Sequence, residues 1–187
     1  MARRPEPQLR GISLNDIVRR VSDVIGDRAA SPKVEIVLAL TNEEPVILGD
    51  PEQLEQVFLN LSVNAIQAVE PVGTVTLSTS VLSDGSTAGA GWVEAVVADT
   101  GPGVHPEDLP RLFEPFFTTK GPGGSGLGLA ISREIILNHQ GEIRVESEPG
   151  RGARFIVSLP RTKALALSSP AVSFITAKEE GHVHRGA

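Results

Sequence analysis

Hydrophobic and polar positions alternate along the chain in two distinct rhythms. Leu14, Ile17, Val18, Val21, Val24 and Ile25 recur at helical spacing. They predict a first helix that opens at Ser13, with Asp16 three residues on in a capping pattern, and stops at Gly26. Residues 34–40 alternate as a strand does, and 45–48 read as its short partner. Asp50-Pro51 then predicts a second helix. The aspartate side chain can cap it, and proline suits a first helical position whose N–H has no partner anyway. That helix runs to about Val69, before Pro71 and Gly73. Residues 74–82 and 92–98 read as strands joined by a Ser/Gly/Ala loop. A Gly/Pro-rich region, 99–126, holds one short helix near 106–112. A third long helix covers about 127–139, with Gly141 after it. Strands at 142–148 and 153–159, linked by Pro149-Gly150-Arg151-Gly152, close the pattern.

Helices and hairpin-like strands in blocks argue an α+β fold, a two-layer α/β sandwich with helices on one face of a single sheet. Residues 1–11, with two prolines and three arginines, read as a linker. Residues 12–160 read as the domain, and 161–187 as a poorly structured tail.

Composition narrows the chemistry. Six Phe, one Trp and no Tyr leave the core to aliphatic side chains. With no cysteine, disulfides, zinc-thiolate sites and thiol catalysis are excluded, and a reducing cytoplasm fits. A net charge of −6 argues against nucleic acid as the main partner. No apolar run approaches the roughly 18 residues of a membrane span, and Met-Ala-Arg-Arg-Pro does not begin a signal peptide. A cytoplasmic location without direct membrane contact is therefore expected, although a membrane-anchored parent protein could contain such a piece.

Four constellations carry candidate chemistry. On the second helix, Gln53, Gln56, Asn60, Asn64 and Gln67 form a narrow stripe beside an apolar face. Asparagine oxygens in so apolar a helix need partners and suit Mg²⁺; the same stripe also suits a solvated face. Asp99-Thr100-Gly101-Pro102-Gly103-Val104 ends a strand. Its carboxylate can accept from an exocyclic amine such as adenine N6, and its glycines permit close approach of a ring; a plain turn has the same composition. Leu112-Phe113-Glu114-Pro115-Phe116-Phe117-Thr118-Thr119-Lys120 places three phenylalanines in a loop that should dock them. Lys120 is a point charge for a terminal phosphate, or the whole segment is an apolar-anchored surface loop. Residues 121–130, from Gly121 through Ser125, Gly126, Leu127, Gly128 and Leu129, run glycines straight into a helix start, where exposed N–H groups and the helix dipole favour an anion; a hinge is the alternative. Gly121, Gly123 and Gly126 match G-x-G-x-x-G, but no strand precedes them and no βαβ unit surrounds them, so a dinucleotide site is rejected. No Gly-Lys-Ser/Thr occurs, which excludes a P-loop.

The four motifs, in this order, resemble the catalytic domain of two-component sensor histidine kinases, within the GHKL or Bergerat-fold ATPase superfamily that includes gyrase, Hsp90 and MutL. The asparagine box resembles residues 54–69, the first glycine box 99–104, the phenylalanine box 113–120 and the second glycine box 124–130. The form FEPFFTTK is most like nitrogen-regulation-type sensor kinases. The resemblance implies a mixed sheet on three helices, with ATP between the second helix and a mobile lid. It implies that Asn64 holds Mg²⁺, with Asn60 beside it near the phosphates. Gln67 lies where some kinases carry a basic residue. Asp99 would read the adenine amine, with Gly101 and Gly103 beside it and Val104 lining the base pocket. Lys120 would meet the β- or γ-phosphate, Gly126, Leu127, Gly128 and Leu129 would lie along the phosphates by backbone, and Thr119 and Ser125 would complete the ATP-binding set. Ala153 departs from the threonine many relatives carry after the glycine. Asn60 stands where the superfamily's hydrolases carry a water-activating glutamate, and an amide is no general base.

The resemblance also implies a phosphoacceptor helical hairpin and, indirectly, a response regulator as partners. Of the four histidines, His105, His139, His182 and His184, none has an acceptor's sequence context. The fragment is expected to be a monomer unable to autophosphorylate. Competing readings are a true ATPase, a serine kinase of the anti-sigma-factor type, and a nucleotide-binding regulatory module.

Overall fold

The computed structural model describes residues 8–28, 33–83, 91–119 and 124–162. The second helix of the sequence, α2 (Pro51–Val69), is its central element. Asp50 caps it in extended conformation, accepting from the N–H groups of Glu52 (3.0 Å) and Gln53 (3.2 Å). Burial alone pushes the Asp50 carboxyl upward, but N–H groups of Gln8, Gln53 and Glu52 outweigh it, and the pKa lies below the ordinary 3.8. Leu54, Val57, Phe58 and Leu61 are wholly buried on its inner face. Four such side chains contribute about 6–12 kcal/mol of gross transfer free energy, before conformational entropy opposes it.

Helix α1 (Leu14–Arg28) packs on α2, and α3 (Gly128–Asn138) packs on its other side. Beneath them lies a five-stranded sheet in the order β2-β4-β5-β7-β6, from β2 (Val34–Ala39), β4 (Gly73–Ser83), β5 (Gly91–Asp99), β6 (Glu142–Ser147) and β7 (Ala153–Pro160). Only the β2–β4 pair is parallel. The result is the expected α+β two-layer sandwich, a mixed sheet on three helices. As composition required, the core is aliphatic, with Phe58 and Phe155 its only aromatics among the described residues. A buried polar network joins the layers: Thr79 Oγ1 donates to Asn15 Oδ1 (2.5 Å), Asn15 Nδ2 to the Thr41 carbonyl (3.0 Å), and Thr41 N–H back to Thr79 Oγ1 (3.0 Å).

Four local expectations are corrected. Arg10 and Gly11, read as the end of a linker, belong to β1 (Arg10–Ser13), which pairs antiparallel with β3 (Val46–Gly49). Ser13 therefore closes a strand, and Leu14 N–H finds the Pro45 carbonyl at 3.0 Å. The expected β2–β3 hairpin does not form, because β2 pairs with β4 across the α2 crossover. Gly26 does not stop α1; nothing lies near it, and the helix continues to Arg28. The short helix of the Gly/Pro region is a single 3₁₀ turn, Leu109–Arg111. Arg161 bridges to Ile47, and Thr162 N–H meets the Val46 carbonyl at 2.7 Å. The rest of the expected tail, 163–187, lies outside the described residues. No described helix is long and apolar enough to cross a membrane.

Candidate nucleotide site

Strand parity delivers the first functional side chain. On β5, Val93, Ala95 and Val97 face the helices and are buried, and Asp99 follows at the same two-residue period. The strand thus ends by placing a carboxylate where its predecessors placed aliphatic groups. Asp99 is 9% exposed. Its Oδ1 accepts from Gly101 N–H (2.8 Å) and Ala153 N–H (3.3 Å), which leaves Oδ2 to accept a donor from the adjoining cavity. Burial raises the Asp99 pKa above the ordinary 3.8, and the two backbone donors only partly offset it.

Helix α2 supplies the opposite wall. Asn60 and Asn64 are half-buried there, with Gln67 more exposed, and all three line a cavity of about 510 Å³. That volume suits a small-molecule ligand. Gln53 and Gln56, from the same stripe, do not reach it. Asn60 Nδ2 donates to the buried Ser132 Oγ of α3 at 3.1 Å, which holds the amide against the start of α3. A side chain at Gly128 would collide with the Asn60 carboxamide, so the glycine permits the close approach of α3 to α2.

The N-terminus of α3 closes the far end. Leu127 occupies its cap position without a side-chain hydrogen bond, and the first turn carries no acidic residue. Its leading N–H groups therefore stay available to an anion. Gly126 has φ +64°, and a Cβ there would strike the backbone of Phe116, whose N–H donates to the Gly126 carbonyl at 2.9 Å. The three phenylalanines separate: Phe113 packs on the core, Phe117 lines the cavity under the Arg111 guanidinium (4.5 Å to the ring centre), and Phe116, at φ +68°, is 75% exposed.

Of the residues singled out in the sequence, Asn60, Asn64, Gln67, Asp99, Gly103, Val104, Thr119, Ser125, Gly126, Gly128 and Leu129 line this one cavity. Gly101 and Leu127 do not. Gly101 sits behind Asp99 against the Ala68 carbonyl, and Leu127 is the helix cap. Lys120 and Gly121–Gly123, one part of the expected lid, lie outside the described residues. Val63, Leu112, Phe117 and Phe155 also line the cavity and were not expected to. Leu112 and Phe117 belong to the phenylalanine-rich segment, whose docking was expected without a stated place, whereas nothing local marks Val63 on α2 or Phe155 on β7. His139 is buried: Nε2 accepts from Asp50 N–H (2.9 Å) and Nδ1 donates to the Ile135 carbonyl (2.8 Å), so it serves structure as a neutral ring. His105 is exposed, and His182 and His184 lie outside the described residues.

Known proteins resemble the chain over most of its length. The family described as histidine kinase-, DNA gyrase B-, and HSP90-like ATPase matches residues 49–163. The sensor histidine kinase ZraS of Salmonella typhi is 37% identical over 152 residues, 81% of this chain and 31% of its own length. The signal transduction histidine-protein kinase AtoS of Escherichia coli is 39% identical over 153 residues, 82% of this chain and 24% of its own. The chain thus spans less than a third of these relatives. Among solved structures, full-length ShkA in complex with AMPPNP superposes with a TM-score of 0.73 at 36% identity, covering 87% of this chain and 33% of that one. The catalytic domain of the histidine kinase ThkA gives 0.69 at 30% identity, covering 82% of this chain and 96% of that one. The chain therefore belongs to the histidine kinase-, DNA gyrase B- and HSP90-like ATPase family, as a catalytic ATP-binding domain of the sensor histidine kinase type.

Proposed function

We propose that this chain binds Mg-ATP in the 510 Å³ cavity and presents the γ-phosphoryl group to a histidine on a helical hairpin elsewhere in its parent protein. Asp99 accepts the adenine amine through Oδ2, and Val104 flanks the ring. The phosphates run toward the uncapped start of α3, where the N–H groups of Gly128 and Leu129 meet them, with Gly126, Leu127 and Ser125 alongside. Thr119 lines the cavity, and the ammonium group of Lys120 is the point charge assigned to the terminal phosphates. Among the described residues no cluster of three His, Asp or Glu exists to cage an ion. A Mg²⁺ arriving with the triphosphate would rest on the neutral oxygen of Asn64, with Asn60 next to it, and would neutralise phosphate charge. Gly128 comes so close to the Asn60 carboxamide that any side chain there would strike it, which sets the start of α3 directly beside that amide.

One observation favours transfer over hydrolysis. Asp99 is the only ionisable side chain among the described cavity-lining residues, and it is at the far side from α3's start, already engaged through Oδ1. No described carboxylate or histidine in the cavity can activate water, so a positioned external acceptor is the better nucleophile. An ATP-consuming domain of this kind belongs in the cytoplasm, as a monomer once separated from its hairpin, with a response regulator receiving the phosphoryl group afterwards. The test is incubation with Mg-[γ-³²P]ATP and a separately prepared acceptor hairpin of the parent kinase. Acid-labile label on the hairpin, and none on the chain alone, is expected. Phosphate release without label on the hairpin would make the chain an ATPase.

A further inference from the structure

Resting on that reading of the cavity, we infer that Ser147 is a positioning residue for base recognition, the bolt that holds the adenine side of the pocket together. Ser147 ends β6, half-buried, and lies far in sequence from the pocket loop that follows Asp99. Its hydroxyl makes two short hydrogen bonds, both to backbone. It accepts from Val104 N–H at 2.8 Å and donates to the Gly152 carbonyl at 2.7 Å. One oxygen therefore joins the loop carrying Val104 to the turn that leads into β7.

Those two partners are the ones that set the recognition geometry. Val104 lines the cavity. Gly152 is directly followed by Ala153, whose N–H holds Asp99 Oδ1. Gly152 itself has φ +78°, and a Cβ there would run into the Asp99 carbonyl, so the turn lies directly on the aspartate's backbone. The seam is closed further along by Gly150 N–H on the Pro102 carbonyl at 2.7 Å, and by Gly103, where a Cβ would strike the Glu148 carbonyl. Among the described residues, every other hydrogen bond across this seam joins backbone to backbone or ends on Asp99. Ser147 is the one other described side chain that spans it, and its hydroxyl fixes the distance between the Val104 wall and the strand start that aims the Asp99 carboxylate.

A hydroxyl that accepts on one side and donates on the other cannot be replaced by a methyl without leaving Val104 N–H and the Gly152 carbonyl both short of a partner. The loop and turn are then free to separate, and the consequence falls on discrimination between bases rather than on phosphate binding. The phosphate end, built from α2 and the start of α3, shares no hydrogen bond with Ser147.

The test compares wild type, Ser147→Ala and Ser147→Thr in the full chain by calorimetric titration with an ATP analogue, the matching GTP analogue and Mg-tripolyphosphate, alongside thermal melts. Ser147→Ala is expected to weaken ATP-analogue binding about tenfold, to shrink the ATP-over-GTP ratio, and to leave tripolyphosphate binding within twofold. Ser147→Thr, which keeps the hydroxyl in a strand-compatible side chain, should restore the ratio. Equal loss for all three ligands, or an unchanged ATP-over-GTP ratio in a folded Ser147→Ala chain, would overturn the inference while leaving the nucleotide site standing. Absence of ATP-analogue binding to wild type would instead remove the reading on which it rests.

Discussion

Asp99→Asn separates the cost of the site from its use, because the two effects carry opposite signs. In the folded chain the Asp99 carboxyl is raised above 3.8 by burial, more than its two N–H donors lower it. A carboxylate whose folded pKa exceeds its unfolded value binds protons more readily in the folded state. Its ionisation therefore costs stability; that cost is complete above the folded pKa and disappears as the pH falls below 3.8. The amide carries no charge, keeps an Oδ1 for Gly101 and Ala153, and escapes the cost. Asp99→Asn should melt at or above the wild-type temperature at neutral pH. Binding should move the other way. The variant replaces the Oδ2 acceptor with an N–H donor that faces the exocyclic amine of adenine. A lost hydrogen bond to a charged group is worth about 1.5–3 kcal/mol, or about 10- to 150-fold in Kd. Calorimetric titration with an ATP analogue, paired with a thermal melt at the same pH, reads both quantities. An Asn variant that binds within about twofold of wild type would refute the assignment of Asp99 to the base. A variant that loses binding while melting many degrees lower would show that the carboxylate holds the fold rather than the ligand.

Three further outcomes follow from the packing. Ser62 Oγ is fully buried on α2 and, among the described residues, has no hydrogen-bond partner, so Ser62→Ala should raise unfolding stability by about 1 kcal/mol in urea titration; a loss of similar size would mean the hydroxyl is satisfied in solution. Asp50 has a lowered pKa and caps α2, so its contribution is present above pH 3.8 and is lost as the pH falls through the lower folded value; Asp50→Ala should cost about 1–2 kcal/mol at pH 7 and flatten the acid limb of a stability-versus-pH curve. Gly126→Ala forces a side chain onto a backbone at φ +64° that already touches Phe116, and should release the Phe116 pairing, seen as faster limited proteolysis between 113 and 126, with the melt shifted by no more than a few degrees; unchanged cleavage would contradict it.

What the sequence disclosed divides by how local the signal is. The start and end of α2 were legible because Asp50, Pro51 and Pro71 act on their immediate neighbours. Asp99 was legible because strand parity and a following Gly-Pro-Gly turn are contained in six residues. The pairing of β1 with β3 was not, since four-residue strands carry little alternation and their partners are chosen by position in space. The β2–β4 pairing was hidden for the same reason: a whole helix separates the strands, while 45–48 stood close in sequence and looked the natural partner. Gly26 misled because a glycine on an exposed helix face costs only about 1 kcal/mol, too little to end a helix whose inner face is fully buried. Ser132 and Ser147 were invisible as lone serines. Their partners are 72 and 43 residues away, and only the folded chain brings Asn60 and Val104 to them.

The most direct measurement is calorimetric titration of the wild-type chain with a non-hydrolysable ATP analogue, with and without Mg²⁺. One site per chain, with affinity that rises when Mg²⁺ is present, is the predicted result. A folded chain that takes up no nucleotide under either condition would contradict the central claim, because the cavity between α2, Asp99 and the start of α3 would then be a scaffold without its ligand.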